Sequence, residues 1–240
     1  MSLPKKAAGA SRKILGKSAS TEIEVKLPVS DRQAMLRLLK KLKAQGGDRV
    51  HEMNTLYDTP GGALASAGRL VRIRLLHAAP PRQSSRSGRR APLGAVLTYK
   101  GPVTTHDAAV RAPGALYKVR EEHEVRVGDG EALARVFQGM GLEPRFRYEK
   151  YRTTFRLPAV PGVLVELDET PVGDFLELEG PAASIDRAAS VLGYAAADYI
   201  VKSYGQLFIE HVCRSQGKES DSVELSSALR AADMLFPRLK

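Results

Sequence analysis

Thr21 to Leu27 reads Thr-Glu-Ile-Glu-Val-Lys-Leu, an alternation that predicts a strand with one ionic and one apolar face. The same period returns at Arg69–Leu76, where Leu70, Arg72 and Arg74 share one face and Val71, Ile73 and Leu75 the other. At Leu116–Val127 it places Arg120, Glu122, Glu124 and Arg126 at one parity. Arg49–Tyr57, Ala95–Lys100, Arg147–Leu157, Val163–Thr170 and Asp174–Gly180 complete eight predicted strands. Elsewhere the period becomes helical. Ser30 or Asp31 can cap a helix whose stripe is Met35, Leu36, Leu38, Leu39 and Leu42, closed by Gly46-Gly47. Asp129 caps a second, with Leu133, Val136, Phe137 and Met140 as its stripe and Gly141 as its stop. Ser184–Leu192 and Asp198–Arg214 read as two C-terminal helices. The sum is an α+β chain: an eight-stranded antiparallel, closed or nearly closed β-barrel with helices packed outside.

Composition refines that picture at three places. Residues 1–20 hold five bases and no acid, and residues 77–94 hold four arginines, three serines and three prolines without an acid. The first predicts a basic tail and the second a flexible basic insertion between strands; 102–114 reads as another loop. The domain then spans 21–215, with 216–240 as a polar C-terminal tail whose Met234, Leu235 and Phe236 can dock. The net charge of +10 comes almost wholly from the two basic segments, which leave +1 for the remainder. A charge-balanced body argues against a nucleic-acid surface. The lone Cys213 forms no intrachain bridge, and no Cys/His cluster has zinc spacing. No apolar run reaches the roughly 18 residues of a spanning helix, and the start lacks a secretory apolar stretch, so a cytoplasmic protein without a membrane partner is expected.

Charge on the strands is the informative feature. The acids Glu22, Glu24, Glu122, Glu124, Glu166, Asp168, Glu177 and Glu179, and the bases Lys26, Arg72, Arg74, Lys100, Lys150 and Arg152, recur at i and i+2, on one side of each strand. A sheet with one wet side would explain any single strand. Taken together, acid beside acid and base beside base repel at about 7 Å unless something neutralises them. A polyanion would satisfy the bases. A hard divalent cation, Mg2+ or Mn2+, would satisfy the carboxylates and bridge them to phosphate.

Glu22-Ile23-Glu24-Val25-Lys26 resembles the Glu-x-Glu-x-Lys signature of the CYTH domain superfamily, the triphosphate tunnel metalloenzymes, which include class IV adenylyl cyclases, thiamine triphosphatases and inorganic triphosphatases. Further elements follow in family order: Tyr57-Asp58-Thr59-Pro60, Arg72-Ile73-Arg74, Leu97-Thr98-Tyr99-Lys100-Gly101, Arg120-Glu121-Glu122-His123-Glu124, Lys150-Tyr151-Arg152, Leu167-Asp168, Gly173 to Glu179, and Ser203-Tyr204-Gly205-Gln206-Leu207. The resemblance implies a tunnel that binds a triphosphate-containing small molecule. Lys26, Arg72, Arg74, Lys100, Lys150 and Arg152 would hold phosphate oxygens. Lys202 falls near the family's basic residue on a closing C-terminal helix. Glu22, Glu24, Asp168, Glu177 and Glu179 match metal-ligand positions, and Glu22, Glu24 and Lys26 form the catalytic motif. Glu122 and Glu124 match an acidic pair of less defined role.

The leading expectation is therefore a hydrolase of inorganic, thiamine or nucleoside triphosphates that depends on Mg2+ or Mn2+. A class IV-type adenylyl cyclase would use the same cavity to release pyrophosphate from ATP. A polyphosphate- or nucleotide-binding module would need the bases without the clustered carboxylates. The oligomeric state is left open, a dimer included.

Overall fold

The computed structural model describes residues 20–79, 92–103, 117–215 and 233–236 of the 240-residue chain. Eight strands form one closed antiparallel barrel: β1 (Ser20–Val29), β2 (Gln45–Asp58), β3 (Leu70–Ala78), β4 (Pro92–Val103), β5 (Lys118–Val127), β6 (Glu143–Arg156), β7 (Leu164–Thr170) and β8 (Gly173–Glu179). Round the barrel the order is β1-β5-β4-β3-β2-β6-β7-β8. β1 closes the ring, pairing with β5 through Glu22↔Arg120 and with β8 through Lys26↔Glu177. Full closure removes exposed strand edges.

Alternation sorts the residues by face, as the pattern predicts. The apolar parity points outward under helices. Val25 and Leu27 from β1, Val165 and Leu167 from β7, and Leu176 and Leu178 from β8 pack with Met35 and Leu39 of α1 (Arg32–Lys41) and Ile185, Ala188 and Ala189 of α4 (Ala182–Val191). A smaller core sets Phe137 of α3 (Gly130–Gly139) edge-on to Tyr57, with Ile73 beside them. Close approach of α3 requires glycine at its first turn, because a Cβ at Gly130 would lie 2.5 Å from a Leu75 methyl. A third cluster, Phe146, Tyr148, Phe175, Tyr204 and Met234, packs with Leu207 and Phe208 of α5 (Tyr204–Ser215).

Boundaries depart from the periodic reading at several points. Asp31 caps α1 by accepting from Ala34 N, but the helix stops at Lys41, and Lys43 makes the left-handed turn (φ 56°). Gly46-Gly47, expected to end that helix, already lie in β2; Gly46 is small because Phe155 of the neighbouring strand covers it. On α3, Val136 and Met140 are exposed, so its buried stripe centres on Phe137. The expected helix 198–214 is interrupted: Ile200 pairs in extended form with Lys26, both backbone N–H groups donating across, and α5 begins only at Tyr204. β3 and β4 take up His77, Ala78 and Pro92–Gly94 from the expected insertion. A short helix, α2 (Ala63–Ser66), was not foreseen; Asp58 builds it by accepting from the N–H groups of Thr59, Leu64 and Ala65. The basic tail 1–19, the centre of the insertion, 80–91, the loop 104–116 and most of the C-terminal tail lie outside the described residues. Within that tail Met234 docks on β6, exchanging backbone bonds with Arg147 and Glu149.

Candidate active site: a charged channel inside the barrel

The ionic parity of every strand except β2 supplies charge to the wall of a single cavity of about 690 Å3. Nine bases line it: Lys26, Arg72, Arg74, Lys100, Lys118, Arg120, Arg126, Lys150 and Arg152. Seven carboxylates face them: Glu22, Glu24, Glu122, Glu124, Glu166, Glu177 and Glu179. Asp168 and Glu52 sit buried directly behind, the first on Lys150 and Arg152 and the second near Arg74 and Lys150. Counted formally, nine acids on and behind the wall stand against its nine bases.

Neutralisation runs across strands. Like charges two apart on one strand each face an opposite charge from a neighbour, so the repulsion inferred from single strands is relieved within the protein itself. Lys100 Nζ lies 2.5 Å from Glu22 and 3.3 Å from Glu122. Lys118 Nζ donates to Glu24 at 2.8 Å, and Lys26 reaches Glu177 at 2.9 Å and Glu24 at 3.5 Å. Lys150 donates to Asp168 at 2.9 Å, while the Arg152 guanidinium forks onto both Asp168 oxygens and also meets Glu166 and Glu177. Arg72 donates to the Tyr148 hydroxyl at 3.0 Å and to Thr98 at 3.1 Å, and lies 3.5 Å from Glu124. Arg74 donates to Asn54 at 3.0 Å and faces Glu52 at 3.3 Å. Arg120 is a different case: it ties two turns together by donating to the carbonyls of Gly101 and Gly68.

Burial and pairing pull the ionisations apart. Burial, reinforced by Glu24, pushes the Glu22 carboxyl up to about 7 despite Lys100. Burial likewise lifts Glu166 to about 7, with Asp168 and Glu177 adding to it and Arg152 opposing. Burial also acts against Glu52, Glu24 and Glu177, but their cations outweigh it. Arg74 and Lys150 hold Glu52 at about 2, and Lys26 leads the groups that keep Glu24 below the usual carboxylate range. Glu177 stays well below it beside Lys150 and Lys26. Burial alone would depress Lys26, yet Glu177 and Glu24 raise it. Lys118 goes the other way: burial, with Lys26 nearby, lowers it in spite of Glu24.

From the start of α5, Tyr204 donates its hydroxyl to Asp168 at 2.6 Å, and the Lys26 and Lys150 ammonium groups lie 5.1 and 4.9 Å from its ring centroid. Of the residues singled out in the sequence, Glu22, Glu24, Lys26, Arg72, Arg74, Lys100, Glu122, Glu124, Lys150, Arg152, Glu177 and Glu179 line the channel, and Asp168 lies fully buried behind its wall. Lys202 does not join them. Its half-exposed side chain pairs with Glu210 at 2.7 Å, one helical stretch outside the channel. Lys118, Glu52, Tyr148 and Tyr204 were not assigned to the site. Tyr148 and Lys118 were legible in principle, because each shares parity with an assigned residue, Lys150 and Glu122. Glu52 is the one acid at its parity within the strand read as Arg49–Tyr57, and Tyr204 reaches the channel by the break at 199–203.

The donor chemistry suits a hard divalent cation, but the arrangement does not. Among the described residues no three Asp, Glu, His or Cys side chains converge to hold a metal ion. Glu22, Glu24, Asp168 and Glu177 are each engaged by an ammonium or guanidinium instead.

A family model for the CYTH domain matches residues 20–204. The chain belongs to the CYTH family. The match spans all eight strands and ends at Tyr204, so the CYTH signature and the charged barrel coincide. No curated protein matches the sequence. Among solved structures, a candidate adenylate cyclase from Vibrio parahaemolyticus is similar, with TM-score 0.60 and 18% identity over 80% of this chain and 99% of that one. A Pyrococcus horikoshii protein has TM-score 0.55 and 22% identity over 78% and 98%. A candidate adenylyl cyclase from Hippeastrum, described as having a dominant triphosphatase activity, has TM-score 0.50 and 19% identity over 83% and 97%. At these identities the likeness is one of fold. No helix among the described residues is long and apolar enough to cross a membrane.

Proposed function

We propose that this CYTH protein is a hydrolase of triphosphate compounds, inorganic, thiamine or nucleoside, bound in the channel as a complex with Mg2+ or Mn2+. The observation that carries the reading is nine cationic side chains on the wall of one cavity of about 690 Å3 inside a closed barrel. Such a wall matches a linear polyanion. Phosphoryl transfer also asks the protein chiefly for positioning and charge stabilisation.

In this reading Arg72, Arg74 and Arg152 grip phosphate oxygens as planar forks, and Lys26, Lys100 and Lys150 act as point charges. Phosphate oxygens replace the carboxylates those cations now hold. Glu22, with its carboxyl near 7, accepts the proton of the attacking water, and Glu24 beside it favours that proton's retention. Tyr204 holds Asp168, and Asp168 in turn fixes Lys150. A divalent cation, when bound, supplies further neutralisation of phosphate charge.

The test is phosphate release from tripolyphosphate, thiamine triphosphate and ATP with Mg2+ or Mn2+. Arg72→Ala and Lys150→Met should each lower kcat/KM by about a hundredfold or more, the scale of a lost electrostatic contact to the reacting group. Formation of cyclic AMP and pyrophosphate from ATP would make the protein a cyclase. Tight binding without turnover would make it a binding module.

A further inference from the structure

We infer, resting on the reading above, that Met234 is a positioning residue for the channel. The C-terminal segment 233–236 completes the barrel wall where β7 falls short. Through Tyr148 and Tyr204, its Met234 sets the aim of Arg72 and, by way of Asp168, of Lys150.

The need for such a segment follows from strand lengths. β7 has seven residues against fourteen in β6, and the two strands pair only from Tyr151 to Arg156. On the side of β6 away from β2, the backbone from Arg147 to Glu149 is therefore beyond the reach of β7, and unpaired N–H and C=O groups are costly to bury. Residues 233–236 take that place. The Met234 N–H donates to the Arg147 carbonyl and the Glu149 N–H donates to the Met234 carbonyl, both at 2.9 Å. Asp233 Oδ1 accepts from the Arg147 N–H at 2.9 Å. Phe236 adds a second anchor on Tyr151, which has the outward parity of β6, with ring centroids 5.0 Å apart. The CYTH match ends at residue 204, so this segment lies outside the span the family model describes.

From Met234 the packing leads to the charged wall. Met234 is completely buried, bridges to Tyr148, and belongs to one apolar cluster with Tyr148, Phe175 and Tyr204. The rings of Tyr148 and Tyr204 lie 6.1 Å apart. Their hydroxyls carry the cluster into the channel: Tyr148 accepts from Arg72 at 3.0 Å, and Tyr204 donates to Asp168 at 2.6 Å. Arg72 relies on that contact. Among the described residues its guanidinium hydrogen-bonds Tyr148 and Thr98, while its buried Nε has no hydrogen-bond partner. Asp168 passes the constraint on to Lys150 and Arg152. Removing the Met234 side chain opens a space in a closely packed cluster, and rings that relax into it carry their hydroxyls with them. A displacement of about 1 Å is enough to slow a reaction that depends on positioning.

Full-length Met234→Ala, Met234→Leu and Phe236→Ala test this, with circular dichroism giving the folded fraction and calorimetry the binding of tripolyphosphate with Mn2+. Met234→Ala should weaken binding about tenfold at an unchanged number of sites, the scale of one misdirected charged hydrogen bond. It should lower kcat/KM by about tenfold to a hundredfold. A purely structural role would instead reduce the number of sites and leave the affinity of each intact. Met234→Leu, close in volume, should restore both values. In a chain carrying Tyr148→Phe and Tyr204→Phe, Met234→Ala should add less than about twofold, because the path is already cut.

Fluorine NMR of the fluorotyrosine-labelled chain reads the two rings without any ligand, their resonances being assigned by loss in the Phe variants. Met234→Ala should shift both resonances and Met234→Leu neither. Phe236→Ala loosens the segment without opening the cluster; it should shift them in the same direction, and it decides the matter if Met234→Ala does not fold. A folded Met234→Ala chain with wild-type resonances and affinity would overturn the inference, as would losses that add in full to those of the tyrosine variants. A wild-type chain that binds no tripolyphosphate would remove the functional proposal, and the resonances alone would then decide whether Met234 positions the two tyrosines.

Discussion

On β1, β7 and β8 the two faces of the barrel are both buried and chemically opposite. On β1, β7 and β8, Leu27, Val165, Leu167 and Leu176 point outward and are completely covered by α1 and α4. One residue along the same strands, Lys26, Asp168 and Glu177 point inward, at most 7% exposed. Burial on the outer face stabilises the fold through removal of apolar area from water. Burial on the inner face costs desolvation that ion pairing offsets only in part. The outer layer holds shut a channel that would not close by itself, and the inner charge is retained for what it can bind.

Cutting one layer and then the other sharpens this contrast. Asp168→Ala should have the largest effect on stability, about 3–5 kcal/mol by chemical denaturation, because Lys150 and Arg152 lose a buried anion they share. Leu176→Ala on the outer face should cost about 2–5 kcal/mol through transfer and cavity terms. The two losses should respond differently to a bound tripolyphosphate, which can re-pair the cations left by Asp168 but cannot fill the space left by Leu176. Equal rescue of both variants would mean that the inner charges do not meet the ligand.

The next effect is on pH dependence. Glu166 and Glu22 have folded values near 7 against an ordinary 4.5, so the native state holds protons that the unfolded chain has released between those two values. Their contribution to stability therefore falls as pH rises from about 4.5 through 7, by at most about 3 kcal/mol per group. Glu52, held at about 2, works in the opposite direction: its stabilisation is present above 4.5 and is lost as pH falls toward 2. The ligand-free protein should be most stable near pH 5, and Glu166→Gln should flatten the decline toward pH 8 in melting experiments. A stability curve of Glu166→Gln parallel to that of the wild type would contradict the assignment.

The smallest effect belongs to Lys202. Its pair with Glu210 is solvent-accessible, so Lys202→Ala should change stability by less than about 1 kcal/mol. Activity and tripolyphosphate affinity should stay at wild-type levels, whereas a large loss of affinity would put Lys202 over the bound substrate.

The contrast between the faces was legible along the chain wherever two charges recur at i and i+2, as in Glu22-x-Glu24 or Arg72-x-Arg74. β6 was read from Arg147, so Phe146 before it was missed, and Tyr148 inside the strand was given no role although it shares parity with Lys150. Helix boundaries were less legible, since the turn after α1 is made by Lys43 while the glycines expected there serve contact with Phe155. α2 was invisible to periodicity because one side chain, Asp58, organises it.

By itself the sequence determined the strand count, the shared parity of the charges it singled out and the CYTH signature, because a period of two is a local property of the backbone that side-chain polarity records directly. Only the tertiary structure decided which acid meets which base. That pairing is set by register and closure between strands far apart in the chain, such as Lys118 on β5 against Glu24 on β1. It also decided that Lys202 stays outside, because Ile200 bridges to Lys26 and α5 begins only at Tyr204, and the half-exposed Lys202 side chain pairs with Glu210.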